Sequence, residues 1–179
     1  NTADMKLFST LPIPDSTKPI VPFGVLGVYF DIHSNKLYAS SVAGSTRDEE
    51  NGVIYCIDPV TGKVIEELKG HDAMSLFVGG FTGEKRLYFG SARTSEIFSI
   101  ELSKNGSFKG DVKTETTLEQ LGPRGDDKAR RIRFDKIGYM NITGVEFNFS
   151  LAANSEVAES HYQFGYNQDE KKWVFMNVK

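Results

Sequence analysis

The sequence predicts an all-β protein built from repeated four-stranded units of the kind that form the blades of a β-propeller. Three observations predict this class. From Phe23 onward the apolar residues come in short runs rich in Val, Ile, Tyr and Phe, with Gly, Asn, Asp and Ser between the runs. Polar turns join pairs of these runs into hairpins. The hairpins recur with a period of about 50 residues, which is typical of propeller blades.

The period is defined by three apolar positions, Leu37, Leu87 and Met140, which are 50 and 53 residues apart. Each position follows a strand and a turn, and each is followed by a second hairpin. The unit is therefore strand, turn, strand, loop, strand, turn, strand. Such a sheet is apolar on both faces, so we expect each unit to pack face to face on its neighbours.

The turns of the second hairpins have their own sequence signals. The stretch Asp58–Gly62, which reads DPVTG, fits a type I turn closed by a glycine. In the next unit, Asn105-Gly106 is a strong hairpin signal. The stretch Thr116–Leu121 is the one segment with helical spacing, and we expect one or two helical turns there.

The predicted organisation is one domain after a short lead-in. Residues 1–22 contain four prolines between Leu11 and Pro22, which excludes a helix or a central strand and favours an extended segment. Residues 23–179 form the single all-β domain, with approximate blades at 23–70, 71–122 and 123–179. Three blades do not close a ring, for which four to eight are typical. We therefore expect half of a six-bladed ring, completed by further blades of a longer protein, by a second copy of the chain in a homodimer or by a complementary chain. The alternative is a single lipocalin-like β-barrel.

Composition excludes several classes of function. The net charge of −3 and the sequence pI near 5.7 give no basic face for nucleic acid. No stretch approaches the roughly 20 apolar residues that span a bilayer, so we expect no membrane partner. The single cysteine, Cys56, lies in an apolar run, where a buried and inert thiol is expected.

Two features point to the secretory pathway. The chain begins Asn1-Thr2 without a methionine, as a processed chain would. It also carries three N-x-S/T sequons, at Asn105, Asn141 and Asn148. We expect a secreted or lumenal glycoprotein, in which Asn105 is the most accessible acceptor because it lies in a turn.

The candidate site residues come from the loops that lead into the innermost strand of each unit, because ligands of propellers usually bind near the axis. These loops are Pro22–Leu26, Lys69–Ser75 and Gly125–Arg131. A histidine beside a carboxylate can act as a general base, and carboxylates can orient it or bind a cation. Glu146, between two apolar residues, is added because its carboxylate can point into a cavity. The predicted catalytic residues are His71, Asp72 and Glu146, and the predicted ligand-binding residues are Asp126, Asp127 and Arg130. The alternative is that these are solvated loop residues that cap turns.

At VYFDIHSNKLYASS, KRLYFGSARTSEIFSIEL and IRFDKIGYMNITG the chain resembles the six-bladed propellers of the senescence-marker, gluconolactonase and strictosidine-synthase-like superfamily. The resemblance covers about 150 residues of the 179. It implies a small-molecule ligand and, for the lactonase members, a calcium ion in the central channel. LGVYFDI, Leu26–Ile32, is also similar to the G-x-W-Y signature of lipocalins.

The predicted function is therefore small-molecule binding. If the protein is an enzyme, we expect a hydrolase, lyase, isomerase or cyclase that acts on a lactone, an ester or a secondary metabolite, with no redox cofactor and with calcium as the one candidate ion. The alternatives are a lipocalin-like carrier and a non-catalytic interaction module.

Overall fold

The computed structural model describes residue 10 and residues 24–80, 83–148 and 158–179, and these contain twelve strands and no helix. The strands are β1 (Val25–Asp31), β2 (Lys36–Ser41), β3 (Val53–Ile57), β4 (Val64–Lys69), β5 (Ala73–Gly79), β6 (Arg86–Ser91), β7 (Glu96–Leu102), β8 (Phe108–Thr117), β9 (Lys128–Phe134), β10 (Met140–Val145), β11 (Glu159–Asn167) and β12 (Lys172–Val178). The all-β prediction is confirmed. The predicted lead-in, residues 1–22, lies outside the described residues except for Thr10.

The strands form three antiparallel sheets of four consecutive strands each: sheet 1 from β1–β4, sheet 2 from β5–β8 and sheet 3 from β9–β12. This confirms the three predicted four-stranded units. Among the described strands, hydrogen-bonded pairing never passes from one sheet to the next. The strands therefore do not close into the single barrel that was the alternative.

The sheets stack in chain order, and their first strands lie side by side. Strand β5 packs against β1 on one side and against β9 on the other, and the last strands β8 and β12 also touch. One apolar cluster joins sheets 1 and 2, and a second joins sheets 2 and 3. Sheet 2 is consequently covered on both faces.

A row of aromatic rings crosses the three first strands. The ring centroid of Phe77 on β5 lies 5.1 Å from that of Tyr29 on β1 and 5.2 Å from that of Phe134 on β9. Trp173 continues the row, 5.4 Å from Phe134. Aromatic pairs at these distances add about 0.5–1.5 kcal/mol each beyond their buried area. The row helps to hold the first strands of the three sheets in one stack.

The predicted turn in the first unit is confirmed. The backbone NH of Gly62 donates to the Asp58 carbonyl over 2.8 Å, and the Asp58 carboxylate accepts from the NH of Val60, also over 2.8 Å. Gly62 has a φ of 68°, a conformation that glycine adopts without strain. Cys56, just before this turn, is fully buried, and burial raises the pKa of its thiol to about 11. The thiol is therefore protonated and inert at neutral pH, as predicted.

The predicted short helix at Thr116–Leu121 is wrong. Thr116 and Thr117 belong to β8, and the residues after them form a turn in which the NH of Leu121 donates to the Leu118 carbonyl over 3.2 Å. Leu118 is fully buried in the cluster between sheets 2 and 3. Packing of this one side chain outweighs a weak local helical preference.

The Asn105-Gly106 turn of sheet 2 docks on sheet 1. The Tyr38 hydroxyl donates to the Gly106 carbonyl over 2.6 Å, and both groups are buried. Gly106 has a φ of 86°, and a Cβ at this position would lie 2.5 Å from the Ser34 Oγ and 2.9 Å from the Tyr38 hydroxyl. The glycine is required both by the turn and by the close approach of sheet 1.

We expect Gly106→Ala to lower the free energy of unfolding by about 2–3 kcal/mol, because it combines a left-handed backbone penalty of roughly 1–2 kcal/mol with a steric conflict. Gly110→Ala is the matched control, since Gly110 also has a positive φ, 71°, but has no heavy atom within 4 Å of its added Cβ. Urea unfolding of both variants measures the difference. Equal losses would show that the contact with sheet 1 contributes nothing.

Candidate functional site

Two of the predicted site residues, Asp72 and Asp127, occupy corresponding places in the fold. Asp72 directly precedes the first strand of sheet 2, and Asp127 directly precedes the first strand of sheet 3. Both are almost completely buried, with exposed fractions of 1% and 0%. A buried carboxylate needs partners, and each of these has an arginine.

The carboxylate of Asp72 is fully engaged by sheet 1 and sheet 2. Its Oδ1 accepts a hydrogen bond from the Ser45 hydroxyl, and its Oδ2 lies 2.5 Å from the Nε of Arg93. Its backbone NH donates to the Glu50 carboxylate over 2.7 Å. Burial raises the pKa of Asp72, while Ser45 and Arg93 act in the opposite direction. Both oxygens are held by the protein itself.

Arg93 ties the two sheets together through the same ion pair. Its guanidinium donates to the carbonyls of Thr46 over 2.7 Å and Arg47 over 3.1 Å, and to that of Glu49. These carbonyls lie in the loop between β2 and β3 of sheet 1, whereas Arg93 follows β6 of sheet 2. The pair therefore fixes the loop of one sheet against the next sheet.

We expect Arg93→Met to destabilise the fold by about 3 kcal/mol or more, because it leaves the Asp72 carboxylate buried without a counter-charge. Arg130→Met is the control, since Arg130 and its partner Glu159 are both exposed and such a pair contributes about 0–1 kcal/mol. Chemical unfolding of the two variants makes the comparison. A loss at Arg93 no larger than at Arg130 would contradict a structural role for this pair.

The carboxylate of Asp127 is held within sheet 3 and the loop before it. It lies 2.5 Å from the Nε of Arg124 and accepts from the Tyr162 hydroxyl over 2.7 Å. Burial by itself would raise the pKa of Asp127, but the hydrogen bonds from Arg124 and Tyr162 outweigh it and hold the pKa below its ordinary value. Burial and the bond to Asp127 raise the pKa of Tyr162 to about 12. The phenol remains a donor at neutral pH.

The lowered pKa of Asp127 predicts acid sensitivity. A carboxyl group whose pKa is lower in the folded chain stabilises the fold above the unfolded pKa, about 4, and this stabilisation is lost as the pH falls through the folded pKa. We expect Asp127→Asn to flatten the loss of unfolding free energy between about pH 5 and pH 2. Asp111→Asn, at an exposed carboxylate, is the control. An unchanged slope in Asp127→Asn would show that this group does not drive the acid sensitivity.

His71 does not pair with the carboxylate next to it in the described structure. Its half-buried ring packs on Phe89 and Phe98, with centroids 5.3 and 6.1 Å away. Burial lowers the pKa of His71, and the charges of Glu50 and Asp72 oppose that shift only in part. The imidazole is therefore neutral at neutral pH and packs against aromatic side chains of sheet 2.

The other predicted site residues lie in sheet 3 or directly beside its strands and do not join His71 and Asp72 through any hydrogen bond or ion pair among the described residues. Glu146 is exposed directly after β10, and Arg130 is exposed on β9, 3.3 Å from Glu159. The Asp126 carbonyl accepts from the Lys128 ammonium group. The described residues contain no group of three or more His, Cys, Asp or Glu side chains placed to hold a metal ion. They do not fit the calcium site that the resemblance implies, so we assign calcium no role.

The three predicted glycosylation sites differ in their surroundings. Asn105 is exposed in its turn, and its amide oxygen accepts from the NH of Ser107 over 3.2 Å. Asn141 is half-buried on β10, where its amide takes part in a chain of side-chain hydrogen bonds. Asn148 is exposed, and the rest of its sequon lies outside the described residues. Glycosylation at all three positions stays a prediction, with Asn105 the most accessible acceptor.

A surface that the sequence analysis did not predict lies on the outer face of sheet 3, the side away from sheet 2. Because the strands pair in register, alternate side chains form two cross-strand rows. The first row is Arg133, Asn141, Gln163 and Asn177, and the second is Arg131, Thr143, His161 and Lys179. We call these residues the polar face. They line an open groove of about 430 Å³.

The amides of the first row form a chain of hydrogen bonds. The Asn177 amide nitrogen donates to Gln163 over 3.0 Å, and the Gln163 amide nitrogen donates to Asn141 over 3.2 Å. In the second row, the Thr143 hydroxyl lies 3.5 Å from the Nδ1 of His161. No aspartate or glutamate is among the described residues that line the groove, and neither Arg131 nor Arg133 forms an ion pair with a described residue. Within the groove, as far as the described residues line it, the positive charges have no acidic partner.

The same face becomes apolar towards the turn between β9 and β10. A second groove of about 550 Å³ is lined there by Ile137, Tyr139, Gly165, Val174 and Met176, among others. Exposed fractions of 79% at Ile137 and 53% at Met176 make this one of the more apolar parts of the described surface. We call this the apolar end of the face. Its sequence signal is weak, because it depends on a glycine and on a turn residue.

Comparisons with known proteins identify no family. No family model matches the chain, and no curated protein matches it. Among solved structures, KlHsv2 with loop 6CD replaced by a Gly-Ser linker shares 9% sequence identity with a TM-score of 0.28, over 88% of this chain and 99% of that chain. At this TM-score the similarity carries no argument about fold or function. None of the described residues form an apolar helix of the length that a bilayer crossing needs.

Proposed function

We propose that the chain forms three consecutive blades of a propeller-like binding protein, which holds a small organic molecule on the outer face of its third sheet. The stacking of β1 on β5 and of β5 on β9 supports a propeller-like order, since it puts the first strand of every sheet on the inner side. The candidate catalytic groups are engaged elsewhere, Asp72 in an ion pair and His71 in aromatic packing. Binding is therefore a better fit than catalysis.

The repeat shows which neighbouring sheet covers each face of a sheet. Leu37, Leu87 and Met140 hold the same place in their sheets, each paired with an apolar residue of the strand on either side. Leu87 lies in the cluster shared with sheet 1, and Met140 in the cluster shared with sheet 2. In each case the preceding sheet covers this side.

In sheet 1, no described sheet packs against the corresponding face, the one that carries Leu37. Leu37 belongs to a cluster made only of residues from sheet 1. On the neighbouring strand, Val28 and Phe30 are 60% and 48% exposed. Continuity with the two interfaces inside the chain supports a further sheet on this side, from a complementary chain or another part of the protein.

The opposite face of each sheet is apolar in sheets 1 and 2 but polar in sheet 3. This single observation carries the proposal. Tyr38 in sheet 1 and Tyr88 in sheet 2 are fully buried and lie on the side that faces the next sheet. The residue at the corresponding place in sheet 3 is Asn141, paired with Arg133 and Gln163. This side is built for water and polar ligands, so it suits a binding surface at the end of the stack.

The two outer faces also bear on the expected homodimer. A ring of two copies would set the arginines of sheet 3 against the apolar side of sheet 1, which is unfavourable because burying unpaired charge is costly. We expect Thr143→Asp, on sheet 3, to leave the mass in solution unchanged and Phe30→Asp, on sheet 1, to abolish any assembly. Analytical ultracentrifugation measures both. A dimer that both substitutions dissociate would restore the two-copy ring and remove sheet 3 as a free binding face.

A further inference from the structure

We propose that the outer face of sheet 3 binds an organic anion with an apolar body, its carboxylate or phosphate on Arg131 and Arg133 and its body on the apolar end. This names the ligand class of the binding face, and it rests on the proposed function at one point: that no further sheet covers sheet 3.

The positive pole of the site follows from strand geometry. Arg131 and Arg133 lie two residues apart on β9, so their side chains leave the same side of the sheet about 7 Å apart. Neither has an acidic partner among the described residues, although the chain as a whole has a net charge of −3. Two guanidinium groups at this spacing repel each other weakly in water, and an oxyanion between them accepts charge-assisted hydrogen bonds from both.

The polar rows supply the remaining contacts for an oxyanion. Asn141 and Thr143 are the cross-strand neighbours of Arg133 and Arg131. Asn177 and Gln163 each use one N–H of their amide in the chain described above, which leaves each a second N–H that can donate. The Asn141 amide nitrogen is already engaged by the Tyr139 carbonyl and the Asp135 carboxylate. A carboxylate or phosphate seated between the two rows would therefore meet donors from the arginines of β9 and from the amides of Gln163 on β11 and Asn177 on β12.

The apolar body has a place on the same face. One step further along the sheet from Gln163, Gly165 has no side chain, and the space over it is bordered by Tyr139 and Met176, which lie 3.3 and 3.5 Å from where its Cβ would be. Val174 and Ile137 extend this apolar floor. The two grooves, about 430 and 550 Å³, are each within the range of small-molecule sites. Charge at one end and apolar surface at the other match an amphiphilic acid better than a sugar or a neutral lipid.

Isothermal titration calorimetry of the full chain tests the site with four probes: naphthoate, naphthyl phosphate, acetate and the neutral naphthalenemethanol. We expect the two naphthyl anions to bind at least about tenfold more tightly than either acetate or the alcohol, since each comparison removes one half of the recognition. Tighter binding of naphthyl phosphate would assign a phosphate-bearing ligand, and tighter binding of naphthoate would assign a carboxylic acid. Equal binding of the alcohol and the anions, or no binding by either anion, would overturn the proposal.

Variants locate the site on the face. The double variant Arg131→Gln/Arg133→Gln should weaken binding of naphthoate by about tenfold or more, whereas Arg130→Gln, on the same strand but outside the groove, should change it less than about twofold. Ile137→Ser should weaken naphthoate and leave acetate unchanged. These side chains are exposed, so thermal melts should stay close to those of the parent chain. Loss of binding in Arg130→Gln but not in the double variant would move the site to the residue predicted from the sequence.

The two proposals fail in different ways. If the proposed function is wrong because another sheet covers this face, Thr143→Asp changes the mass in solution. If only the anion site is wrong, the mass is unaffected and the naphthyl anions fail to bind to a chain whose outer face is free.

Discussion

The structure depends on one constraint, which is that sheets 1 and 2 are apolar on both faces and cannot be stable alone. In sheet 1, adjacent residues of β2 show this directly: Tyr38 is fully buried against sheet 2, while Leu37 packs in a separate cluster on the other side. A sheet of this kind needs a cover on each face. Stacking sheets in series is the solution that the chain adopts, and sheet 2 is the one sheet for which described residues provide both covers. Removing either neighbour would expose a whole cluster rather than a single side chain.

Stacking creates a second requirement at the places where the chain passes from one sheet to the next. The loops there are buried by the packing of the sheets. Their backbone and carboxylate groups therefore lose contact with water and need hydrogen-bond partners within the protein. Asp72 and Asp127 meet this need by the same device, a carboxylate before the first strand and an arginine that binds it. Arg93 comes from 21 residues further along the chain, whereas Arg124 precedes its partner by three. The two carboxylates share one position because the unit repeats, whereas the two arginines come from different positions in the sequence.

The sequence was informative wherever the signal was local or periodic. The common spacing of Leu37, Leu87 and Met140 identified the repeat because those side chains occupy one position of a two-residue alternation that burial keeps apolar. The turns at Asp58–Gly62 and Asn105-Gly106 were predictable because glycine is needed where φ is positive. Thr116–Leu121 misled because Leu118 is positioned by contacts between sheets. Asp72 was read as an available carboxylate for a related reason, since neither its burial nor its distant arginine leaves a local mark.

The polar face of sheet 3 could not be predicted from the sequence of any one strand, and only the strand pairing of the fold shows it. Each of its strands has an ordinary alternation, such as Arg131-x-Arg133, that fits any half-exposed strand. Only the register shows that the polar positions of all four strands form continuous rows, with Asn141 where the other sheets have a buried tyrosine. The same position in the repeat can thus be buried between sheets or exposed to solvent, depending on which residue each strand has there. Because sheet 1 has the apolar version on its outer side and sheet 3 the polar one, the two ends of the described stack differ: sheet 1 presents a face like those that are covered inside the stack, and sheet 3 presents a polar face.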